Sequence, residues 1–254
     1  GSGTVFPGYS NWLADTGYDG SGITVSVVDG GIRTTHQDIA ERMVGCVPSG
    51  ESPTSCSSIP DNHGSHVAAA IAGTGSSGST DSAGFNQGQG VAPSSQIVQQ
   101  RYPEFLGPGP GSMRVDGMLK IFHETSLSGA LLANNSWGPT GDPQGYDIPT
   151  RQIDVISRDA DPKAPGNQPV LAVWSIMNGD GDAFGTCAPS SLGSPDEAKN
   201  LFAVGSTVLR NFNGSQSSDI FSLSENSAHG PACDGRRVPH IVAPGCRTRS
   251  ICTG

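Results

Sequence analysis

His63 stands in the stretch Asp61-Asn62-His63-Gly64-Ser65-His66-Val67-Ala68-Ala69-Ala70-Ile71-Ala72-Gly73. Two good helix caps precede a small apolar run, and a glycine stops it. The pattern predicts a short buried helix with a histidine in its first turn, free to face a cleft. Asp29, Ser136 and Asn178 each follow a run that reads as a buried strand. A histidine there can act as general base for a nucleophile. A buried aspartate accepts the other ring N–H, which fixes the tautomer and stabilises the imidazolium. An asparagine can donate to a developing oxyanion. Together these residue types suggest acyl transfer. Taken singly they are weak: an aspartate before two glycines is more often a turn residue, and a lone histidine is more often structural. His66 reads as structural, and a zinc pair with His63 lacks a third ligand. His36, His123, His229 and His240 have no comparable setting.

The elements that must position these residues follow from the hydrophobic pattern. Runs at 23–28, 96–100, 130–135, 169–176 and 201–205 read as strands. Helical spacing is found at 113–126 and 146–159, and 11–14 reads as a turn of helix. Residues 33–58 and 75–90 read as loops. Strands alternating with helices predict an α/β fold, a mainly parallel sheet with helices on both faces. Its ligand edge lies beyond the carboxyl ends of the strands, where Asp29, Ser136 and Asn178 would meet.

Composition bounds the reading. The 254 residues allow one large domain with a sizeable core. The formal charge of −9 argues against a nucleic-acid partner, which would need a basic face. No apolar run approaches the ~18 residues of a membrane span. The start has no initiator Met and no signal-like segment, so the chain reads as a mature or processed form, or one whose Gly1-Ser2 is a tag remnant. Six cysteines without a C-x-x-C pair argue against a zinc ribbon and for an oxidising compartment. Cys46 with Cys56, and Cys246 with Cys252, are near enough to close short loops, leaving Cys187 and Cys233. The pairing stays open.

Seven segments, in order, resemble the subtilisin-like serine proteases. Val27-Val28-Asp29-Gly30-Gly31-Ile32 with His36-Gln37-Asp38-Ile39 is similar to the aspartate segment. His63-Gly64-Ser65-His66-Val67-Ala68 resembles the histidine segment, and Gly90-Val91-Ala92-Pro93 a G-V-A-P before the next strand. Asn135-Ser136-Trp137-Gly138 resembles the substrate-binding segment, and Met177-Asn178-Gly179-Asp180-Gly181 the segment carrying the oxyanion asparagine. Ala198-Lys199-Asn200 through Gly205 and residues 234–245 resemble the remaining two. The chain departs from the family at Met177, where a glycine is usual, and at Asp180, displaced by Gly179.

The resemblance implies a subtilisin-like, doubly wound sheet and a secreted serine endopeptidase, with residues 1–254 the larger, N-terminal part of one peptidase domain. It implies Asp29, His63 and Asn178 as catalytic residues. In this family the oxyanion asparagine is worth roughly 10²–10³ in rate. It implies a substrate edge at Ser136, Trp137 and Gly138. No cofactor is required for the chemistry. Asp38 matches a calcium ligand of the family, which makes it a weak candidate for a structural calcium, although the neighbouring loop does not clearly match. The family's nucleophile, in G-T-S-M-A at the head of a long apolar helix, has no counterpart in these residues. The expectation is therefore a second polypeptide carrying that serine, produced by zymogen processing near Gly254. Two rivals stand beside this reading: an inactive subtilase-fold binding protein, and a peptide ligase or cyclase on the same site.

Overall fold

The computed structural model describes residues 8–47, 60–80, 86–102, 115–138, 145–178, 192–209, 211, 215, 217–219 and 221–246. Seven strands form one sheet: β1 Thr24–Asp29, β2 Met43–Val47, β3 Gln96–Arg101, β4 Leu132–Asn135, β5 Leu171–Ser175, β6 Phe202–Val208 and β7 Ile241–Cys246. Their order is β2-β3-β1-β4-β5-β6-β7, and every pairing is parallel. Among the described residues, four α-helices accompany them: α1 Tyr9–Thr16, α2 Asn62–Ala72, α3 Gly117–Leu127 and α4 Ile148–Ile156. No helix among the described residues is long and apolar enough to cross a membrane.

The period of two along β1 sorts the core into two layers. Val25 and Val27 pack with Ile97 of β3 and Ala68, Ala69 and Ala72 of α2. Val28 points the other way, into a larger cluster with Met118, Ile121 and Phe122 of α3, Ile153 and Ile156 of α4, and Trp174 of β5. Buried polar side chains join the layers. Gln100 accepts from Ser26 and Thr125 and donates to the Ile121 carbonyl. Asp29 is the next residue in the Val25–Val27 alternation, so it faces α2.

The crossovers through α2 (β2 to β3) and through α3 (β3 to β4) advance in the same direction across the sheet, yet lie on opposite faces. They therefore have opposite hands, an uncommon arrangement for parallel connections. It leaves α2 on its face over β1 and β3, while β4 to β7 present that face to solvent. Leu171, Phe202 and Ile241 are 50%, 41% and 49% exposed there. Register places them together with Leu132, Val173 and Val204 on one face of the sheet, in three successive rows: Leu132-Leu171, Val173-Phe202 and Val204-Ile241.

Two expectations need correction, and one strand was not expected. The stretch 33–58 is not all loop: Met43–Val47 forms the edge strand β2 beside β3. Its short pattern, interrupted by Gly45, carries little strand signal. Residues 241–246 form the opposite edge strand β7, with its backbone paired to β6. Cys246 is a free thiol, so a bridge to Cys252 is not formed. The ladder holds Cys246 opposite Val208. A cysteine in that register has its Cβ direction set by the pleat, not by the next cysteine along the chain. The predicted helix start at Met113 and the loop 75–90 lie partly outside the described residues.

Candidate active site

The site begins with a helix cap. Asp61 has extended backbone, and its Oδ2 accepts the N–H of Gly64 at 2.8 Å, opening α2. His63 sits in that first turn. Ser65 ties the helix to the chain beyond β1: its hydroxyl donates to the Asp61 carbonyl and accepts the Arg33 N–H at 2.8 Å. Gly64 is where the helix meets the aspartate turn. A Cβ there would lie 2.1 Å from the Gly31 carbonyl oxygen and 3.0 Å from the Asp29 Cβ, so only glycine allows the approach. Arg101, at the end of β3, donates from Nε to the Gly30 carbonyl at 3.0 Å, holding the same turn from the other side.

The approach brings His63 Nδ1 to 2.8 Å from Asp29 Oδ1. The aspartate is 1% exposed, whereas the histidine side chain is 60% exposed and reaches the cleft. Asp29 Oδ1 also accepts the Gly30 N–H at 2.8 Å. The His63 pKa is raised above its ordinary value, chiefly by the hydrogen bond to Asp29. Burial opposes this, and the charges of Asp29 and Asp61 add to it. A carboxylate accepting from Nδ1–H leaves Nε2 as the lone-pair nitrogen, the form a general base needs. Ligand atoms of Asp29, Asp61 and His63 lie within 4.8 Å of one another. Asp29 Oδ1 is engaged with His63 and Asp61 Oδ2 with Gly64, so the trio reads as an orienting set.

The other expected residues lie along the same sheet edge. Val28 pairs with Asn135 and Asn135 with Trp174, so the ends of β1, β4 and β5 are level. Ser136 follows β4 and, with Asn134, lines a groove of about 900 Å³ beside His66 and Val67. Trp137 turns inward. It stacks on Tyr102 at 4.6 Å and tilts onto Trp174 at 5.3 Å. Its indole is thus packing.

Asn178 follows β5 and is bridged to Ser227. Its Oδ1 accepts from Asn226 Nδ2 at 3.3 Å, which leaves its own NH₂ for another partner. The unusual Met177 before it packs against the larger core cluster. Its carbonyl accepts the Ala228 N–H and its N–H is taken by Asp196 Oδ2 at 3.0 Å. Asp180 lies outside the described residues.

Two residues were missed by sequence reasoning. Tyr102 sits near the acidic pair, and its phenol pKa is raised by burial first and then by Asp29 and Asp61. Asp196 is buried behind Met177. Both follow strands or turns with no chemical pattern of their own.

Asp38 is held by protein donors. Its Oδ1 accepts the Ser76 N–H and the Ser76 hydroxyl, each at 2.7 Å. Positive ends of dipoles point at that oxygen, a donor set that does not fit a cation. Here the aspartate fastens the loop after α2.

Comparison with known proteins agrees with the geometry. The model of the Subtilase family matches residues 20–254. Serine protease AprX of Bacillus subtilis (strain 168) is 27% identical over 237 residues, covering 91% of this chain and 48% of that protein. The chain thus spans about half the length of this relative. A parallel sheet with a buried aspartate and a capping-turn histidine at its carboxyl edge, and a family match over nearly all its length, make this chain a member of the subtilase family.

Proposed function

We propose that this chain is the Asp- and His-bearing part of a serine endopeptidase. The observation that carries the reading is the 2.8 Å bond between His63 Nδ1 and the buried Asp29. His63 Nε2 takes the proton of a serine hydroxyl as its oxygen attacks a peptide carbonyl. Asp29 holds the ring and offsets the charge of the imidazolium. The Asn178 amide and a backbone N–H stabilise the oxyanion. His63 then gives its proton to the leaving amine, and water repeats the sequence on the acyl-enzyme. The substrate strand pairs with the backbone of Ser136 and Gly138. None of these steps requires a cofactor.

The serine comes from a second polypeptide segment packed on the open face of β4–β7. The apolar face from Leu132 to Ile241 supports this, because an uncovered apolar face of a sheet core is costly. The face lies beside α2, so a helix seated there brings its first turn toward His63. A secreted, oxidising setting is supported by Cys46 and Cys233, each disulfide-bonded.

Labelling with a fluorophosphonate tests the reading. Covalent label on a serine-bearing companion segment, lost on His63→Ala, is the expected result. Absence of label from a correctly assembled complex would show an inactive binding protein instead. Product masses from a peptide substrate separate hydrolysis from ligation.

A further inference from the structure

We propose that Asp196 is a positioning residue for the oxyanion donor, its buried carboxylate holding the Met177 N–H and with it the backbone that presents Asn178. The inference rests on the reading of Asn178 given above. Asp196 is 1% exposed. Its Oδ2 accepts two backbone donors, Met177 N–H at 3.0 Å and Gly193 N–H at 3.2 Å. Its Oδ1 is buried and has no hydrogen-bond partner. One carboxylate oxygen thus joins the end of β5 to the turn before β6, one residue from Asn178.

The opposite side of Asn178 is held as well. Glu197 receives the Cys233 N–H on both oxygens, at 3.0 and 2.9 Å. That fixes the segment whose Ala228 N–H bonds the Met177 carbonyl and whose Asn226 orients the Asn178 amide. Two consecutive carboxylates therefore hold the segment that carries the donor and the segment bridged to it. Glu197 is the charged group that bears on Asp196. Arg236 lies 4.0 Å from Glu197 and gives its N–H to the Glu197 and Ala198 carbonyls.

A carboxylate in this place is expensive. Burial pushes Asp196 up to about 7, with the two N–H bonds opposing the rise and Glu197 adding to it. An acid whose folded pKa exceeds its unfolded value favours folding below the unfolded pKa. That advantage disappears as pH rises through the folded value. A neutral isostere therefore stabilises the fold above pH 7. A costly buried group kept beside a reacting group is the pattern expected of a functional constraint.

The test uses the enzyme completed by its serine-bearing segment, with rates normalised to titrated active sites. D196A is expected to lower kcat by about 10- to 100-fold, bounded by the ~10²–10³ that removal of an oxyanion donor costs, with KM within about twofold. D196N keeps a weaker acceptor and is expected to fall between D196A and the unaltered enzyme. It is also expected to raise Tm at pH 8.5 and to reduce the acid-side slope of log kcat from about two protons to about one. N178A is measured alongside. If N178A costs about 10² or more while both Asp196 variants keep kcat within about twofold, the positioning role is overturned. A Tm that falls in D196N at pH 8.5 also overturns it, because the carboxylate would then be merely structural. If N178A itself leaves kcat unchanged, the reading of Asn178 fails instead.

Discussion

Asp29 and His63 lie 34 residues apart in sequence and 2.8 Å apart in space. Three features produce this contact. The alternation of β1 turns Asp29 toward α2, the Asp61 cap starts the helix one residue before His63, and Gly64 lets the two backbones close.

Replacing Asp29 by Asn leaves the shape and removes the charge. The hydrogen bond to Asp29 is the largest cause raising the His63 pKa, so the acid limb of kcat/KM moves to lower pH in D29N. The rate above that limb falls by about 10⁴, as in another triad given the wrong tautomer. A raised histidine pKa adds stability below the unfolded value, which is lost as pH rises through the folded one. The Tm deficit of D29N is therefore larger at pH 6 than at pH 9, as calorimetry would measure.

Asp61 acts as a cap and as a nearby charge. D61A frees the Gly64 N–H and costs about 1 kcal/mol, a Tm drop of about 2–4 °C for a domain of this size. It also removes a smaller cause of the raised His63 pKa, so the acid limb shifts to lower pH by less than in D29N. An unaltered pH profile would show that the carboxylate serves the helix alone.

Gly64→Ala forces the helix away from the Asp29 turn. The new methyl would meet the Gly31 carbonyl oxygen at 2.1 Å, and backbone cannot yield as a side chain can. Overpacking of this kind costs about 1–3 kcal/mol. A displacement of about 1 Å at the histidine costs about 10² in rate. Urea denaturation and kcat, measured together, are expected to fall together. Full activity in G64A would mean that the close approach is unimportant.

Leu171→Asp and Phe202→Asp place a charge on the open sheet face. Both side chains are exposed, so the chain's own stability changes by no more than about 0.5 kcal/mol. Docking of the serine-bearing segment would bury that charge and is expected to fail. Co-purification with the segment, and fluorophosphonate labelling, are both expected to disappear. Persistence of either would place the segment elsewhere.

Much of the site was legible because its chemistry is local. The Asp61 cap, His63 and the β-branched run before Asp29 all lie in stretches whose patterns name their elements. Strands β1 and β5 were legible for the same reason, being rich in apolar residues. The edges were not. Met43–Val47 is interrupted by glycine, and Ile241–Cys246 carries Pro244 and Gly245, so neither has a clear period. The hand of the α2 crossover was also hidden, since alternation of strand and helix says nothing of which face a helix takes. Asp196 was invisible because burial of a lone carboxylate in a turn depends on segments far away in sequence. Trp137 could be named, but only its packing on Tyr102 and Trp174 shows that its ring faces inward.

The open sheet face of Leu132, Leu171, Val173, Phe202, Val204 and Ile241 has a calorimetric consequence. Burying apolar surface lowers heat capacity. Docking of a segment on this face therefore carries a negative ΔCp, and its enthalpy becomes more favourable on warming. Near 5 °C such an association is expected to be driven by released water rather than by heat. Chilling weakens the hydrophobic part of the contact, so the active form is expected to come apart more readily in the cold than its well-filled second core layer would suggest.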